Sequence, residues 1–340
     1  MPASITRLRR TGATALVAGA LVAALAACSG QAAATDIAAK DSGKTAVTIG
    51  AQSNGAATET TIDVEVQKKI RDSLPKSVLD SGELTIGLGA LPAGFPPLAF
   101  TGEDQKTLTG AEPDLGRLVA ATLGLKPVAQ NATWDNLFVG IDSGKTDVGF
   151  SNITDTEQRK EKYDFASYRQ DNLAFEVLKS STWSFDDDYT NLAGQTVAVG
   201  SGTNQEKILL EWQKKLKAEG KTLTIKYYPD QNGVNLALNS GKISAYFGPN
   251  PGVAYHEAQD KDSANPTRTA GTFSGAGATL QGLIAATVKK DSGLAQPVAD
   301  AINYLIDNGQ YAEWLNAYNL SNEAVDKAEV NPPGLPLDNS

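Results

Sequence analysis

From residue 76 onward, apolar residues recur in two alternating spacings. They occupy every second position from Leu84 to Leu88, which predicts a strand. Between Leu115 and Leu123 they follow the three- and four-residue spacing of one helix face, and Gly124 ends that pattern. Because strand and helix patterns alternate in this way, the sequence predicts an α/β fold.

A polar stretch directly follows one short apolar strand. Thr154 with Glu157 three residues later fits a capping box, which predicts a helix beginning near Asp155. Arg159 would then lie close to the helix N-terminus, where the helix dipole favours an anion. Its guanidinium, the Asn152 amide and free backbone N–H groups together predict a carboxylate-binding site. The alternative is an ordinary capped surface helix with Arg159 in a salt bridge.

Composition narrows the possible functions. The chain has 340 residues, enough for two domains, and a formal charge of −9, which argues against a nucleic-acid partner. His256 is the single histidine and Cys28 the single cysteine. These counts exclude Ser-His-Asp and Cys-His catalysis and zinc sites built from histidine or cysteine. We therefore predict no catalytic residue, no cofactor and no metal.

The N-terminal region has the pattern of an export signal. Residues 1–27 combine a basic start with an apolar run that is too short to span a membrane stably. The run ends in Leu-Ala-Ala-Cys28, which resembles a bacterial lipobox and predicts lipidation of Cys28 at the extracytoplasmic face. The alternative is a secreted protein with an incidental thiol. Residues 28–75 are then the lipidated cysteine and a flexible tether, with a short helix at 63–74.

The order of motifs along the chain resembles a known family. A Pro-rich loop carrying Phe95 is followed by Gly-x-Glu-x-Asp-Leu at 110–115 and Trp-Asp-x-Leu at 134–137. Thr-x-Thr-Glu-x-Arg at 154–159 and Tyr-Asp-Phe at 163–165 come next. In this order and spacing they resemble the bacterial extracellular solute-binding proteins of family 3, the ligand receptors of amino-acid ABC importers. The resemblance covers about residues 76 to 330.

The resemblance implies a two-lobe, periplasmic-binding-protein-like fold of type II with the ligand cleft between the lobes. Lobe I would comprise residues 76–172 and 286–340, the latter including a C-terminal tail, and lobe II residues 173–285. Two crossover strands would join them, near residues 171–175 and 281–286. Closure of the lobes about this hinge would trap the ligand.

The resemblance also implies the ligand-binding residues. Phe95 would cover the ligand, Asn152 and Thr154 would supply polar contacts, and Arg159 would bind the α-carboxylate. Lobe II would contribute the remaining positions, which are Thr203, Asn204 and Asn250. One departure from the family concerns the aspartate that pairs with the ligand's α-ammonium, because Pro249 stands in its place. We therefore expect weak recognition of the α-ammonium.

The predicted function is that of a lipid-anchored, non-enzymatic receptor that delivers a polar amino acid or derivative to an ABC importer permease. Its partners would be the small-molecule ligand, the permease and the membrane through the anchor. Two alternatives are a binder of another carboxylate and a dehydratase-like enzyme on the same scaffold, for which Asp155 and Glu206 are the candidate cleft acids. A sensory domain is not expected, since no membrane span or signalling domain follows.

Overall fold

The computed structural model describes residues 43–338. The strands are β1 (Lys44–Ile49), β2 (Thr60–Glu65), β3 (Glu83–Leu91), β4 (Phe100–Thr101), β5 (Leu108–Thr109), β6 (Lys126–Thr133), β7 (Val148–Gly149), β8 (Tyr163–Leu178), β9 (Thr196–Val199), β10 (Thr224–Tyr227), β11 (Ala245–Pro249), β12 (Thr267–Ser274) and β13 (Gly282–Lys289). The helices are α1 (Lys68–Arg71), α2 (Lys76–Ser81), α3 (Ala111–Thr122), α4 (Trp134–Ser143), α5 (Asn204–Ala218), α6 (Gln231–Asn239), α7 (Asn250–Asp260), α8 (Ala295–Asp307) and α9 (Gln310–Ala317). Within residues 43–338, every helix is too short or too polar to cross a bilayer.

One long strand belongs to both halves of the main sheet. The sheet has the order β10-β9-β11-β8-β13-β7-β3-β6, and β12 also pairs with β8. The 16-residue β8 pairs with β13 up to Asp171 and with β12 from Asn172 onward. We call β3–β7, β13, α3, α4, α8, α9 and the first part of β8 lobe I. Lobe II is β9–β12, α5–α7 and the rest of β8.

The chain returns from lobe II to lobe I through residues 275–281, between β12 and β13. Gly282, the first residue of β13, already pairs with Asp171 in lobe I. The return therefore comes earlier than the boundary predicted at 286. Each lobe has its own core, because apolar faces of helices cover the sheet in both. The lobe II core is rich in aromatic rings, with Phe175 stacked on Phe247 at 4.2 Å between ring centroids.

The predicted tether is wrong for its described part. Strands β1 and β2 form an antiparallel hairpin, and Val47, Ile49, Ile62 and Val64 are buried in the lobe I core. These β-branched residues alternate with polar ones, so one face of the hairpin packs on the lobe and the other faces water. The predicted helix at 63–74 is wrong too, since β2 continues to Glu65 and α1 has only four residues. Cys28 and the predicted signal peptide lie outside the described residues.

The end of the chain crosses both lobes, and we call residues 329–336 the strap. In lobe I its Val330 forms a bridge to Ala166 of β8. Leu335 accepts a backbone hydrogen bond from Glu157 at 3.0 Å and donates one to the Asp155 carbonyl at 3.1 Å. Its side chain, 1% exposed, packs in the lobe II core. The strap therefore links the two lobes on a path separate from β8.

Candidate functional site

A cavity of about 380 Å³ lies between the lobes, and we call it the interlobe cavity. Its walls follow the carboxyl ends of strands in both lobes: residues 91–95 after β3, 133–135 around the end of β6, 151–152 after β7, 200–205 after β9, 228–231 after β10, and 249 at the end of β11. Open α/β sheets bind ligands at this edge, because loops from neighbouring strands converge there. The two lobes thus bring polar and aromatic side chains to one enclosed space.

Four of the predicted ligand residues line the interlobe cavity. They are Phe95, Asn152, Thr203 and Asn204. The Phe95 ring also reaches lobe II, because a Cβ added to Gly252 would lie 2.4 Å from its Cζ atom. A side chain at that position of α7 would therefore collide with the ring, and the glycine leaves room for it. Thr203 caps α5, since its hydroxyl accepts a hydrogen bond from the Glu206 amide at 3.2 Å.

Thr154 has a different place from the one predicted. It does not cap a helix, because the segment after it forms only a short 3-10 turn at Arg159–Glu161. Its hydroxyl donates to the Asp171 carboxylate at 2.7 Å, and the Asn204 amide donates to the same oxygen at 2.9 Å. Thr154 belongs to lobe I and Asn204 to lobe II, so this buried carboxylate joins the lobes. Burial raises the pKa of Asp171 to about 6, although both hydrogen bonds oppose that shift.

Arg159 lies outside the interlobe cavity. It lines a second cavity of about 730 Å³, which shares Trp134, Asp135, Thr203 and Asn204 with the first. Its guanidinium donates to the Thr154 carbonyl at 2.8 Å and to the Gly202 carbonyl of lobe II at 3.1 Å. The group also lies over the ring of Trp134, 5.4 Å from the ring centroid. Burial lowers the pKa of Arg159 to about 10, which leaves it charged at neutral pH.

Asn250 is also outside the interlobe cavity, in contrast to the prediction. Its neighbour Pro249 lines the cavity, whereas the Asn250 side chain is a hydrogen-bond donor to Glu323 of lobe I. Proline ends β11 and asparagine begins α7, so the chain turns between them and the two side chains diverge. Asn250 therefore contacts the ionic pair of lobe I rather than the space where a ligand would bind.

The floor of the cleft is a buried ionic cluster that sequence reasoning missed. Arg169, 1% exposed, forms ion pairs with Glu112 at 3.0 Å and with Glu323. The Tyr168 hydroxyl donates to Glu112, whose side chain also lines the interlobe cavity. Burial raises the pKa of Glu323, while Arg169 opposes that shift. The many apolar residues of β8 signal burial of this strand, but no local pattern shows which acids surround Arg169.

Further cavity residues were not predicted, and they are Trp134, Asp135, Gln205, Tyr228, Asp230, Gln231 and Tyr246. Several of them come directly after a strand, which is the signal that could have found them. The Trp134 indole donates to the Gly202 carbonyl at 3.4 Å, the same carbonyl that Arg159 contacts. Among residues 43–338, no group of three His, Cys, Asp or Glu residues is placed to hold a metal ion.

Comparison with known proteins gives the same picture. The model of the bacterial extracellular solute-binding proteins, family 3, matches residues 89–321. The L-cystine-binding protein TcyJ of Escherichia coli K12 is 32% identical over 177 residues, which cover 51% of this chain and 61% of TcyJ. The match thus spans less than two thirds of that relative. The arginine-binding protein ArgT of Corynebacterium glutamicum is 27% identical over 269 residues, or 78% of this chain and 84% of ArgT.

Solved structures share the fold. An ancestral arginine-binding protein bound to arginine superposes with a TM-score of 0.60 at 24% identity, covering 70% of this chain and 98% of that one. The ancestral amino-acid-binding protein AncCDT-1, a precursor of cyclohexadienyl dehydratase, gives 0.59 at 22% identity, covering 71% and 97%. The predicted type II periplasmic-binding-protein-like fold is therefore confirmed. The predicted relationship is confirmed too: this chain belongs to the bacterial extracellular solute-binding proteins of family 3.

Proposed function

We propose that this protein is the solute-binding component of an ABC importer. It captures a small carboxylate-bearing solute, an amino acid or an amino-acid derivative, by closing its lobes. The observation that carries the proposal is the interlobe cavity, whose walls come from both lobes and combine aromatic rings with a few convergent polar groups. The names of the relatives agree, since TcyJ binds cystine and ArgT binds arginine.

The ligand carboxylate is best placed at the N-terminus of α5. This helix has 15 residues, begins at Asn204 and directs its N-terminal end at the cavity. Its dipole favours an anion there by about 0.3–1 kcal/mol. Thr203 and Asn204, with Asn152 from the facing lobe, are the contacts that we assign to the ligand. Phe95 covers its body.

Arg159 contributes to ligand capture when the lobes open. In the closed arrangement, the contacts of Trp134 and Arg159 with the Gly202 carbonyl separate the second cavity from the interlobe cavity. When the lobes open, both contacts break and the guanidinium is released. Arg159 then faces an entering carboxylate, which it can bind through two parallel hydrogen bonds. Binding of the ligand carboxylate by Arg159 is therefore part of this proposal.

Membrane anchoring through Cys28 belongs to the same proposal, as does delivery to a permease. The motif Leu-Ala-Ala-Cys28 supports it. We expect Cys28→Ala to move the protein from the membrane fraction to the medium or to stop its processing, because no lipid can then be attached. Fractionation followed by immunoblotting measures this. A variant that stays with the membrane at wild-type size would contradict lipidation at Cys28.

Thermal-shift measurement of the purified protein against amino acids, their derivatives and simple carboxylates tests the binding function. A ligand at a hundredfold excess over Kd adds about 2.7 kcal/mol of stability. For a chain of this size that corresponds to a rise in Tm of about 4 °C. A soluble version must keep all residues from 43 onward, because β1 begins at Lys44. No shift with any compound would refute the proposal.

The enzymatic alternative has one point in its favour, the similarity to a dehydratase precursor. The buried acid of the cavity, Glu112, is poorly suited to act as a general acid, however. Both carboxylate oxygens of Glu112 are engaged, one by Arg169 and one by Tyr168. Neither Asp155 nor Glu206, the acids considered from the sequence, lines the interlobe cavity. Assay of the purified protein for dehydration of prephenate-like substrates separates the two functions, and we expect no turnover.

A further inference from the structure

The two cavities differ in charge. In the described part of the chain, the charged residues that line the interlobe cavity are Glu112, Asp135 and Asp230, and no Lys, Arg or His is among them. The cations of the cleft line the second cavity instead. Arg159, Lys162, Lys207 and Lys214 are matched there by four acids, which are Asp135, Glu161, Glu206 and Glu211. Since like-signed groups that face one enclosed space add their fields, the interlobe cavity attracts a positive group.

The buried floor adds to this negative field. Arg169 is shared by two carboxylates, those of Glu112 and Glu323. Asp171 lies within electrostatic range of both Arg169 and Glu323, and its hydrogen-bond partners Thr154 and Asn204 are neutral. Three acids therefore surround Arg169 beneath the cleft, and Arg159 is within electrostatic range of Asp171 alone among them. With two guanidiniums against three carboxylates the formal charge of this group is negative, so it favours a cation bound above it.

Aromatic rings complete the environment of a cation. Phe95, Trp134, Tyr228 and Tyr246 all line the interlobe cavity. The faces of such rings attract ammonium and guanidinium groups electrostatically. Acidic side chains and aromatic faces are two separate features of one space, and each favours a cationic group over a neutral or anionic one.

We propose that the interlobe cavity holds the cationic end of the ligand side chain, a guanidinium or ammonium, and that Asp230 is a specificity-determining residue for it. This inference rests on the proposed function. The ligand carboxylate then points to the α5 N-terminus and Arg159, and the positive end points away from them. Asp230 is suited to the role because it lines the cavity, and the cap hydrogen bond that one of its oxygens accepts from Gly233 at 2.9 Å holds the carboxylate in place.

Calorimetric titration of the full-length protein with matched amino acids tests the inference. L-arginine is compared with L-citrulline, its neutral isostere, and L-lysine with L-norleucine. We expect the charged member of one pair to bind about tenfold tighter or more, since a charge-assisted hydrogen bond is about twice as strong as a neutral one. The pair that shows the preference distinguishes a guanidinium from an ammonium ligand.

Two variants locate the selectivity. Asp230→Asn keeps the cap of α6, because asparagine caps as well as aspartate, and we expect it to reduce the preference for the charged ligand severalfold. Asp188→Asn is the matched control. Asp188 also caps a short helix of lobe II, through Thr190, but does not line the cavity. We expect its charge preference to equal that of the wild type.

The outcomes separate this inference from the proposed function. Equal binding of both members in each pair, or binding of neutral and acidic amino acids only, overturns the cationic-ligand inference and leaves the solute-binding function intact. An unchanged preference in Asp230→Asn overturns the role of Asp230. Absence of binding by every amino acid and carboxylate in the thermal-shift panel overturns both.

Discussion

Asp171 is the residue at which the two lobes meet, and its protonation affects stability. Burial raises its pKa from the ordinary 3.8 to about 6. Between these values the folded protein holds a proton that the unfolded chain has lost, so stability falls as pH rises from about 4 to 6. Arg169 and Glu323 face the same carboxylate and contribute with opposite signs.

We expect Asp171→Asn to remove this part of the pH dependence. The asparagine oxygen can still accept hydrogen bonds from Thr154 and Asn204 but does not ionise. Relative to the wild type, the variant should gain up to about 3 kcal/mol in the free energy of unfolding between pH 4 and pH 7. Chemical denaturation at several pH values measures the difference. Asp187→Asn, in an exposed loop, is the control, and equal pH profiles for Asp171→Asn and wild type would refute the assignment.

Arg159 is the second residue whose role can be measured. Arg159→Ala should abolish detectable ligand binding, because both the capture of the carboxylate and the contact with Gly202 are lost. The Tm of the ligand-free protein should change little, since the group is only half-buried. Arg159→Lys should restore little, because a single ammonium cannot form two parallel hydrogen bonds. If either variant fails to fold, the residue is structural instead.

At the scale of elements, the strap contacts both lobes, and the composition of this segment does not predict that. Leu335 makes backbone hydrogen bonds to the segment 155–157 of lobe I, and its side chain packs in the lobe II core. Lys207 of α5 also donates to the Pro336 carbonyl. Opening of the lobes must therefore strain or release this segment. We infer that the strap stabilises the closed arrangement.

Leu335→Asp tests the strap. Burial of a leucine side chain contributes about 1.5–3 kcal/mol, so we expect ligand affinity to fall by about tenfold or more. Small-angle scattering should show a larger radius of gyration, because the closed form is less populated. Leu337→Asp is the matched control, since Leu337 is 63% exposed. Similar affinities in the two variants, with both folded, would contradict the role of the strap.

Local patterns predicted the elements that carry the cavity but not the contacts between distant elements. Phe95, Asn152, Thr203 and Asn204 follow strands, and strand ends converge in this fold, so their place was predictable. Thr154 fits a capping box equally well, yet its hydroxyl bonds to Asp171. The β1–β2 hairpin was not predicted for a related reason. Val47 and Ile49 are two apolar residues in a stretch of mostly small and polar ones, and they become part of a core because α3 packs against them.

At the scale of the whole molecule, the chain passes to lobe II through β8 and returns to lobe I, and this path determines how two fragments of the protein would behave. Lobe I contains both the beginning and the end of the described chain, so no single cut yields one complete lobe. A break near Gly220, an exposed turn between α5 and β10, leaves α8 and α9 on the second fragment. Each fragment then exposes apolar surface that only the other can cover. The two should remain unfolded apart and regain ligand binding when mixed, which makes this turn a site for a split reporter of the bound solute.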